Sequence, residues 1–312
     1  MSSKLSLAQS KRRQIIVLIV FAVTFYAVLP QFKSFNDSFK LLQHSEANKL
    51  VWCGLAVAGS YLAAATTYKL LAFVKLKYLE VLVVQLASLF VNRILPAGVG
   101  ALSFNYLYLR KSKHSSEKAT AVVAANNFIG WLGHSLLLTS VIIVTHQHLP
   151  KKHLASSSTW LWLLAAVLAL LIMLMAVWRL KIRKFVRGFL RQLASYRKKP
   201  GHLLLALLSS IFLTLCTVGC LWFSLQAVHV PLAFATTLIV FTFGISIGTA
   251  TPTPGGLGGF EAGLVAGLVA YNVSSSAALA AVLLFRLFTY WAGLIIGALA
   301  LFEVQRRGLV KI

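Results

Sequence analysis

The sequence predicts an all-α polytopic integral membrane protein with about six full spans plus two re-entrant broken hairpins, arranged as an inverted-topology repeat. Three observations predict it. First, 59% of the 312 residues are hydrophobic and only 12% are charged, whereas soluble domains hold roughly 45–50% apolar and about 25% charged residues; the mean hydropathy is +0.82. Second, several apolar runs reach the ~20 residues that a helix needs to cross a bilayer. Third, two further apolar segments are broken by proline and glycine, at NRILPAGVG (92–100) and TPTPGGLGG (251–259). The whole chain, 1–312, reads as one transmembrane domain, with repeat 1 at about 12–145 and repeat 2 at about 159–303.

Thirty Lys and Arg against six Asp and Glu give a formal charge of +24. On a soluble protein that excess would point to nucleic acid. Here the basic residues gather at the ends of apolar runs, where cytoplasmic loops carry them. The excess therefore reads as positive-inside topology and contact with anionic lipid, with no nucleic-acid partner.

The elements follow in order. Lys4, Lys11, Arg12 and Arg13 precede a first span at about 15–32 and place the N-terminus in the cytoplasm. That basic start resembles a signal peptide, but no A-x-A site follows it, so it reads as an uncleaved span. A nearly neutral loop, 33–48, lies outside, and a second span at about 49–72 returns to Lys75 and Lys77. Segment 78–109 has basic residues at both ends, and each half, of about 14 residues, is short for a crossing. It reads as a hairpin dipping in from the cytoplasm, with its irregular backbone shielded by protein or a cavity. A span at about 118–145 goes out, and one at about 159–178 returns to the strongest basic cluster. Within that cluster, Ile182, Phe185, Val186, Phe189, Leu190 and Leu193 repeat every three or four residues, predicting an amphipathic helix at about 181–199 on the inner leaflet. A span at about 202–225 goes out again, and the last, at about 276–302, ends at Arg306, Arg307 and Lys311, so the C-terminus is cytoplasmic. Segment 232–272 must then start and finish outside, as a second re-entrant hairpin. The alternative, with 232–250 a full span, puts the C-terminus outside unless 258–272 also crosses.

The two halves match in outline. PAGVG (96–100) and PGGLG (254–258) share a Pro-x-Gly-x-Gly frame, and SSEKATAVVAANN (115–127) lies over SSSAALAAVLLFR (274–286). Inverted repeats of this kind are a recurring transporter plan, with the site near the midplane between them.

Intramembrane charge marks function by default, and Glu261 is the acidic residue expected deep in the membrane. Its structural alternative is to complement a half-helix dipole. Arg286, mid-span in VLLFRLFTYW, needs a partner or a wet cavity, and Glu261 is the evident partner; the structural alternative is a plain ion pair. Arg93 is a second candidate cation or an interfacial anchor. Asn92, Asn105, Asn126, Asn127 and His134 add polar groups that either meet substrate or bond helix to helix; Asn127 aligns with Arg286 between the halves. Pro254, Gly255, Gly256 and Gly258 break the helix so that free N–H groups can face an anion. The loop histidines His146, His148 and His153 lack a carboxylate or Cys nearby, so no metal is expected. Cys53, Cys216 and Cys220 read as small apolar residues. No Walker A, dinucleotide, G-x-S-x-G or H-E-x-x-H pattern occurs, so neither a cofactor nor catalysis by the chain alone is expected.

The run PGGLGGFEAGLVAGLVAYNVSSSAALAAVLLFRLFTYW (254–291) strongly resembles the lysylphosphatidylglycerol synthase transmembrane region, or flippase-like domain. Pro254, Gly255, Gly256, Gly258, Glu261 and Arg286 carry the resemblance, and Asn92, Pro96, Gly98, Gly100 and Tyr106 match its earlier block. Ala101 and Phe104 stand where some members hold an acidic residue and an arginine, so the head-group recognition of those members is not carried over. The resemblance implies translocation of phosphatidylglycerol or its aminoacyl ester between leaflets of the cell membrane. The expected partners are anionic phospholipid and either a second copy or a separate lipid-modifying enzyme. Members that charge the lipid carry a fused soluble acyltransferase; this sequence ends at Ile312, so a non-enzyme is expected. The alternatives are a secondary transporter of a small solute or ion, or an accessory subunit of a phosphatidylglycerol lysyltransferase-type system.

Overall fold

A computed structural model describes residues 45–94, 99–145, 200–251 and 253–310, together with Gln43 and Tyr196. The expected spans at about 15–32 and 159–178, the loop histidines and the amphipathic helix at about 181–199 lie outside the described residues. Within them every regular element is helical: α1 (Ala47–Leu71), α2 (Tyr78–Ile94), α3 (Val99–Lys111), α4 (Ser116–Thr145), α5 (Pro200–Ala227), α6 (Phe234–Ala250), a short 3₁₀ turn (Pro254–Gly256), α7 (Gly259–Ala270), α8 (Ser275–Arg286) and α9 (Gly293–Arg306). A π-helical stretch, Leu287–Ala292, joins α8 to α9 without a break in the rod. Four of these are long and apolar enough to cross a membrane: α1, α4, α5 and the continuous run Ser275–Arg306. They coincide with four of the six expected spans. The chain is a multi-pass, all-α membrane protein.

Local chemistry explains the helix ends. Ser274 caps α8 by accepting the Ala277 N–H at 3.4 Å, the usual role of a serine at an N-cap. Asn272 takes a left-handed φ of 63° beyond α7, where asparagine is tolerated better than most residues. At the other end of the rod, Glu303 receives Arg306 at 2.8 Å and Arg307 at 2.5 Å, one helical turn on.

The antiparallel pair α1–α5 is the spine. Cys53 Sγ donates to Cys220 O at 3.5 Å, Gly59 lets the Cys216 sulfur within 3.1 Å of where a Cβ would stand, and Ser209 Oγ donates to Ala63 O at 2.9 Å. Two apolar cores form along this spine. One joins α1 and α5 to α6, α7 and α8, around Leu221, Leu264 and Phe285; the other joins them to α2, α3, α4 and α9, around Leu71, Val84 and Leu109.

Each core holds one broken hairpin. Its arms have 17 and 13 residues in α2 and α3, and 17 and 12 in α6 and α7, all below the ~20 of a straight crossing. In the first hairpin Gln85 Nε2 donates to Asn105 Oδ1 at 2.7 Å, and a Cβ on Gly100 would sit 2.5 Å from Val91 O. In the second, glycines of both arms line the seam: Gly263 on α7 meets Gly244 on α6, Gly267 meets Val240, and Gly248 meets Phe260. A Cβ on Gly248 would come 2.8 Å from Phe260 Cβ, and one on Gly263 would come 3.0 Å from Gly244 Cα. This is the small-xxx-small spacing that lets membrane helices approach backbone to backbone. The helix order is the same in both halves: α1, α2–α3, α4, then α5, α6–α7, α8–α9. Counterpart contacts also tie the halves together: α2 lies along α9, with Gly297 against Leu86 and Phe90, and α6 meets α4 through Thr242 and His134, 3.0 Å apart.

Candidate functional site

The tip of the second hairpin meets the end of α2. Gly255, at the tip of the second hairpin, lies beside the Tyr290 ring and Arg93, which ends the first hairpin's leading arm; a Cβ there would stand 2.7 Å from the ring and 3.5 Å from Arg93 Cγ. Gly255, Gly256 and Gly258 hold φ values of 63°, 68° and 86°, a region costly for residues with a Cβ. The glycines thus permit both the turn and the approach of the two hairpins.

Glu261 stands in the first turn of α7 and is held from two sides. Its Oε2 accepts the Gly258 N–H at 2.7 Å, and its Oε1 accepts Arg286 Nε at 2.5 Å. The expected pairing with Arg286 is therefore present, and so is the dipole-complementing role. The pair is largely buried, with side chains 10% exposed for Arg286 and 21% for Glu261. The Arg286 guanidinium also lies 4.8 Å from the Phe260 ring centre and 5.0 Å from that of Tyr290, within cation–π range. Its Nη2 is buried and has no hydrogen-bond partner among the described residues.

Arg93 approaches the same tyrosine, with its Cζ 5.1 Å from the Tyr290 ring centre. Its Nη2 donates to the carbonyl of Thr289 in the π-helical stretch. Its guanidinium sits beside the Tyr61 hydroxyl under Gly293. Two guanidiniums thus share one aromatic ring, and the carboxylate pairs with Arg286. No acidic residue pairs with Arg93 among the described residues, so this cluster carries one positive charge in excess.

Arg286, Asn92, Thr249, Thr251, Thr253, Gly255, Gly256 and Phe260 line a cavity of about 430 Å³ between the hairpins. The Asn92 side-chain oxygen, like Arg286 Nη2, has no hydrogen-bond partner among the described residues. Of the residues singled out from sequence, Asn92, Arg93, Gly255, Gly256, Gly258, Glu261 and Arg286 gather here, with Pro254 in the turn that shapes the tip. Asn127 does not: it lines a neighbouring cavity, and its Nδ2 donates to Val123 O at 2.8 Å. One expectation needs correction in detail. The Gly256 N–H is taken by Thr253 O at 3.1 Å and the Gly258 N–H by Glu261, so these two are not free to receive an anion. The positive groups at the cavity are side chains.

Sequence reasoning missed Tyr290, which carries both guanidiniums, because an aromatic residue in a membrane helix has many apolar reasons to be there. It also missed the neighbouring cavity, of about 830 Å³. Its signal was legible: Ser210, Thr214 and Thr217 on α5 and Thr242, Ser246 and Thr249 on α6 repeat at four and three residues, which puts each trio on one helix face. Asn126, His134 and Gln85 complete its polar wall, whereas Asn105 is spent on Gln85.

The profile of the lysylphosphatidylglycerol synthase TM region matches residues 6–297 of this chain. No curated protein matches it. The match extends over nearly the whole sequence, and the chain belongs to the lysylphosphatidylglycerol synthase TM region family.

Proposed function

We propose that this member of the family translocates anionic phospholipid, moving the head group of phosphatidylglycerol or a related lipid between leaflets, without itself catalysing a covalent reaction. The observation that carries the reading is the arginine pair: two guanidiniums share Tyr290, only one of them is paired with a carboxylate, and that one, Arg286, lines the cavity. A phosphodiester supplies the missing negative charge and accepts charge-assisted hydrogen bonds, which are among the strongest available to it. Glu261 holds Arg286 in place when the site is empty.

In this reading the two hairpins are re-entrant and enter from opposite sides, the halves form an inverted repeat, and both termini face the cytoplasm of a cell membrane. The acyl chains stay in lipid while the head group passes between the hairpin tips. A second copy or a separate lipid-modifying enzyme completes the system in the membrane. A solute carrier with Glu261 as its proton-coupling carboxylate has less support, because both carboxylate oxygens are already engaged.

Leaflet exchange in proteoliposomes tests the proposal. With head-group-labelled phosphatidylglycerol, wild type should exceed empty liposomes. Arg286→Ala should lower the rate at least about tenfold, as expected for a lost hydrogen bond to a charged group. Wild-type exchange no faster than in empty liposomes sinks the function. Full exchange in both Arg286→Ala and Glu261→Gln removes this site from it.

A further inference from the structure

The larger cavity lies beside the arginine cluster and has a different chemistry. It encloses about 830 Å³ among α1, α2, α4, α5 and α6, within the ~300–1,000 Å³ typical of small-molecule sites. Ile245 and Thr249 line both cavities, so the larger one begins where the arginine cavity ends. Among the described residues, none that lines it is Asp, Glu, Lys or Arg. Its polar wall is built of hydroxyls, amides and one imidazole, including Asn127, His134, Thr214 and Ser246.

The hydroxyl protons of this wall are mostly committed. Thr214 donates to Ser210 O at 3.2 Å, Thr217 to Leu213 O at 2.9 Å, Ser246 to Thr242 O at 2.8 Å and Thr249 to Ser246 O at 3.0 Å. A hydroxyl that has given its proton still accepts, so the wall offers acceptors to donors from inside the cavity. An ammonium group would find acceptors there but no counter-charge, and the adjoining cluster carries a positive excess. Neutral hydroxyl groups meet the acceptors without that penalty.

Resting on the phosphate reading of the arginine site, we propose that the larger cavity is a subsite for a small neutral polyol esterified to that phosphate, glycerol or a sugar. A phosphate at Arg286 directs its substituent toward Thr249 and into this uncharged space. The site therefore selects polyol phosphates over bare phosphates and over cationic aminoacyl esters. The same chemistry is presented by a lipid head group and by a soluble polyol phosphate.

Binding to the purified full-length protein in detergent separates these cases. The ligands are phosphatidylglycerol, phosphatidic acid, lysyl-phosphatidylglycerol, soluble glycerol phosphate and inorganic phosphate. Wild type is expected to bind phosphatidylglycerol on the order of tenfold more tightly than phosphatidic acid or the lysyl ester, the scale of one or two hydrogen bonds. In Thr214→Val/Ser246→Ala that preference should shrink to about twofold while phosphatidic acid binding is unchanged. Arg286→Gln should weaken all phosphate ligands together. Asn127→Ala, read the same way, replaces the double variant if that one does not purify as a folded monodisperse species. Equal binding of phosphatidylglycerol and phosphatidic acid by wild type overturns the polyol subsite while leaving the phosphate site standing. So does a preference that survives in the folded variants. Glycerol phosphate bound as tightly as phosphatidylglycerol, and preferred over inorganic phosphate, keeps the subsite and overturns the lipid reading. Failure to bind any phosphate ligand overturns both.

Discussion

The two broken hairpins solve one problem by different means. The second joins its arms by glycine against glycine, so close that Gly248 has no room for a Cβ beside Phe260. The first uses one such approach, at Gly100, and otherwise a side-chain hydrogen bond, Gln85 to Asn105. The second carries the carboxylate and keeps it inside its own turn; the first sends a guanidinium across to the other hairpin's neighbour, at Thr289. Close backbone packing makes a rigid tip that can hold a charge in register. A hydrogen-bonded seam leaves the other tip to be positioned by what its arginine touches.

The largest effect should come from unbalancing the carboxylate. Glu261→Leu leaves Arg286 buried without a counter-charge, a loss of about 3–5 kcal/mol, and adding Arg286→Met should restore most of it. Unfolding of the purified protein measures both, and a double variant no better than the single would show that the pair is not what secures this tip. Next, Gly248→Val should destabilise by about 1–3 kcal/mol through overpacking. Gly219→Ala should not, because no heavy atom of the described residues lies within 4 Å of its added methyl; similar melting temperatures for the two would refute the close-packed seam.

Gln85→Leu probes the first hairpin. It strands the Asn105 side-chain oxygen, at a cost of about 1–2 kcal/mol, and should loosen α2 and α3 while leaving α6 and α7 as protected from amide exchange as before. The smallest effect is a pH dependence at the base of the same hairpin. His114, between α3 and α4, accepts the Phe73 N–H at 3.1 Å through Nε2, so it must be unprotonated there. Burial holds its imidazole below the ordinary value. A group depressed in the folded state gives its full stabilisation above about pH 6.5, the unfolded value, and loses it as pH falls through the folded one. Amide protection at Phe73 and Val74 should therefore drop on acidification, and a pH-independent protection factor would contradict it.

Much of this was legible in the sequence for physical reasons. Apolar length placed α1, α4, α5 and the α8–α9 rod, and proline with glycine marked both breaks. Glu261 and Arg286 were expected to pair because neither charge is tolerable alone in an apolar segment. Tyr290 and the hydroxyl-lined cavity were harder to see. A tyrosine or threonine is at home in a membrane helix without any task, and only the assembled faces show that they converge. The packing of α2 along α9 was likewise hidden, since apolar length and the placement of charge do not say which helices touch.

The arginine pair on Tyr290 also has an electrical consequence. Two cations and one anion make a cluster that responds to voltage, by up to about 2.3 kcal/mol per elementary charge moved across 100 mV. Filling it with a singly charged phosphodiester cancels that response. Under the proposed translocation the empty and loaded forms would differ in how they sense the membrane potential, so a resting voltage would bear on the return step while leaving the carrying step nearly free of it.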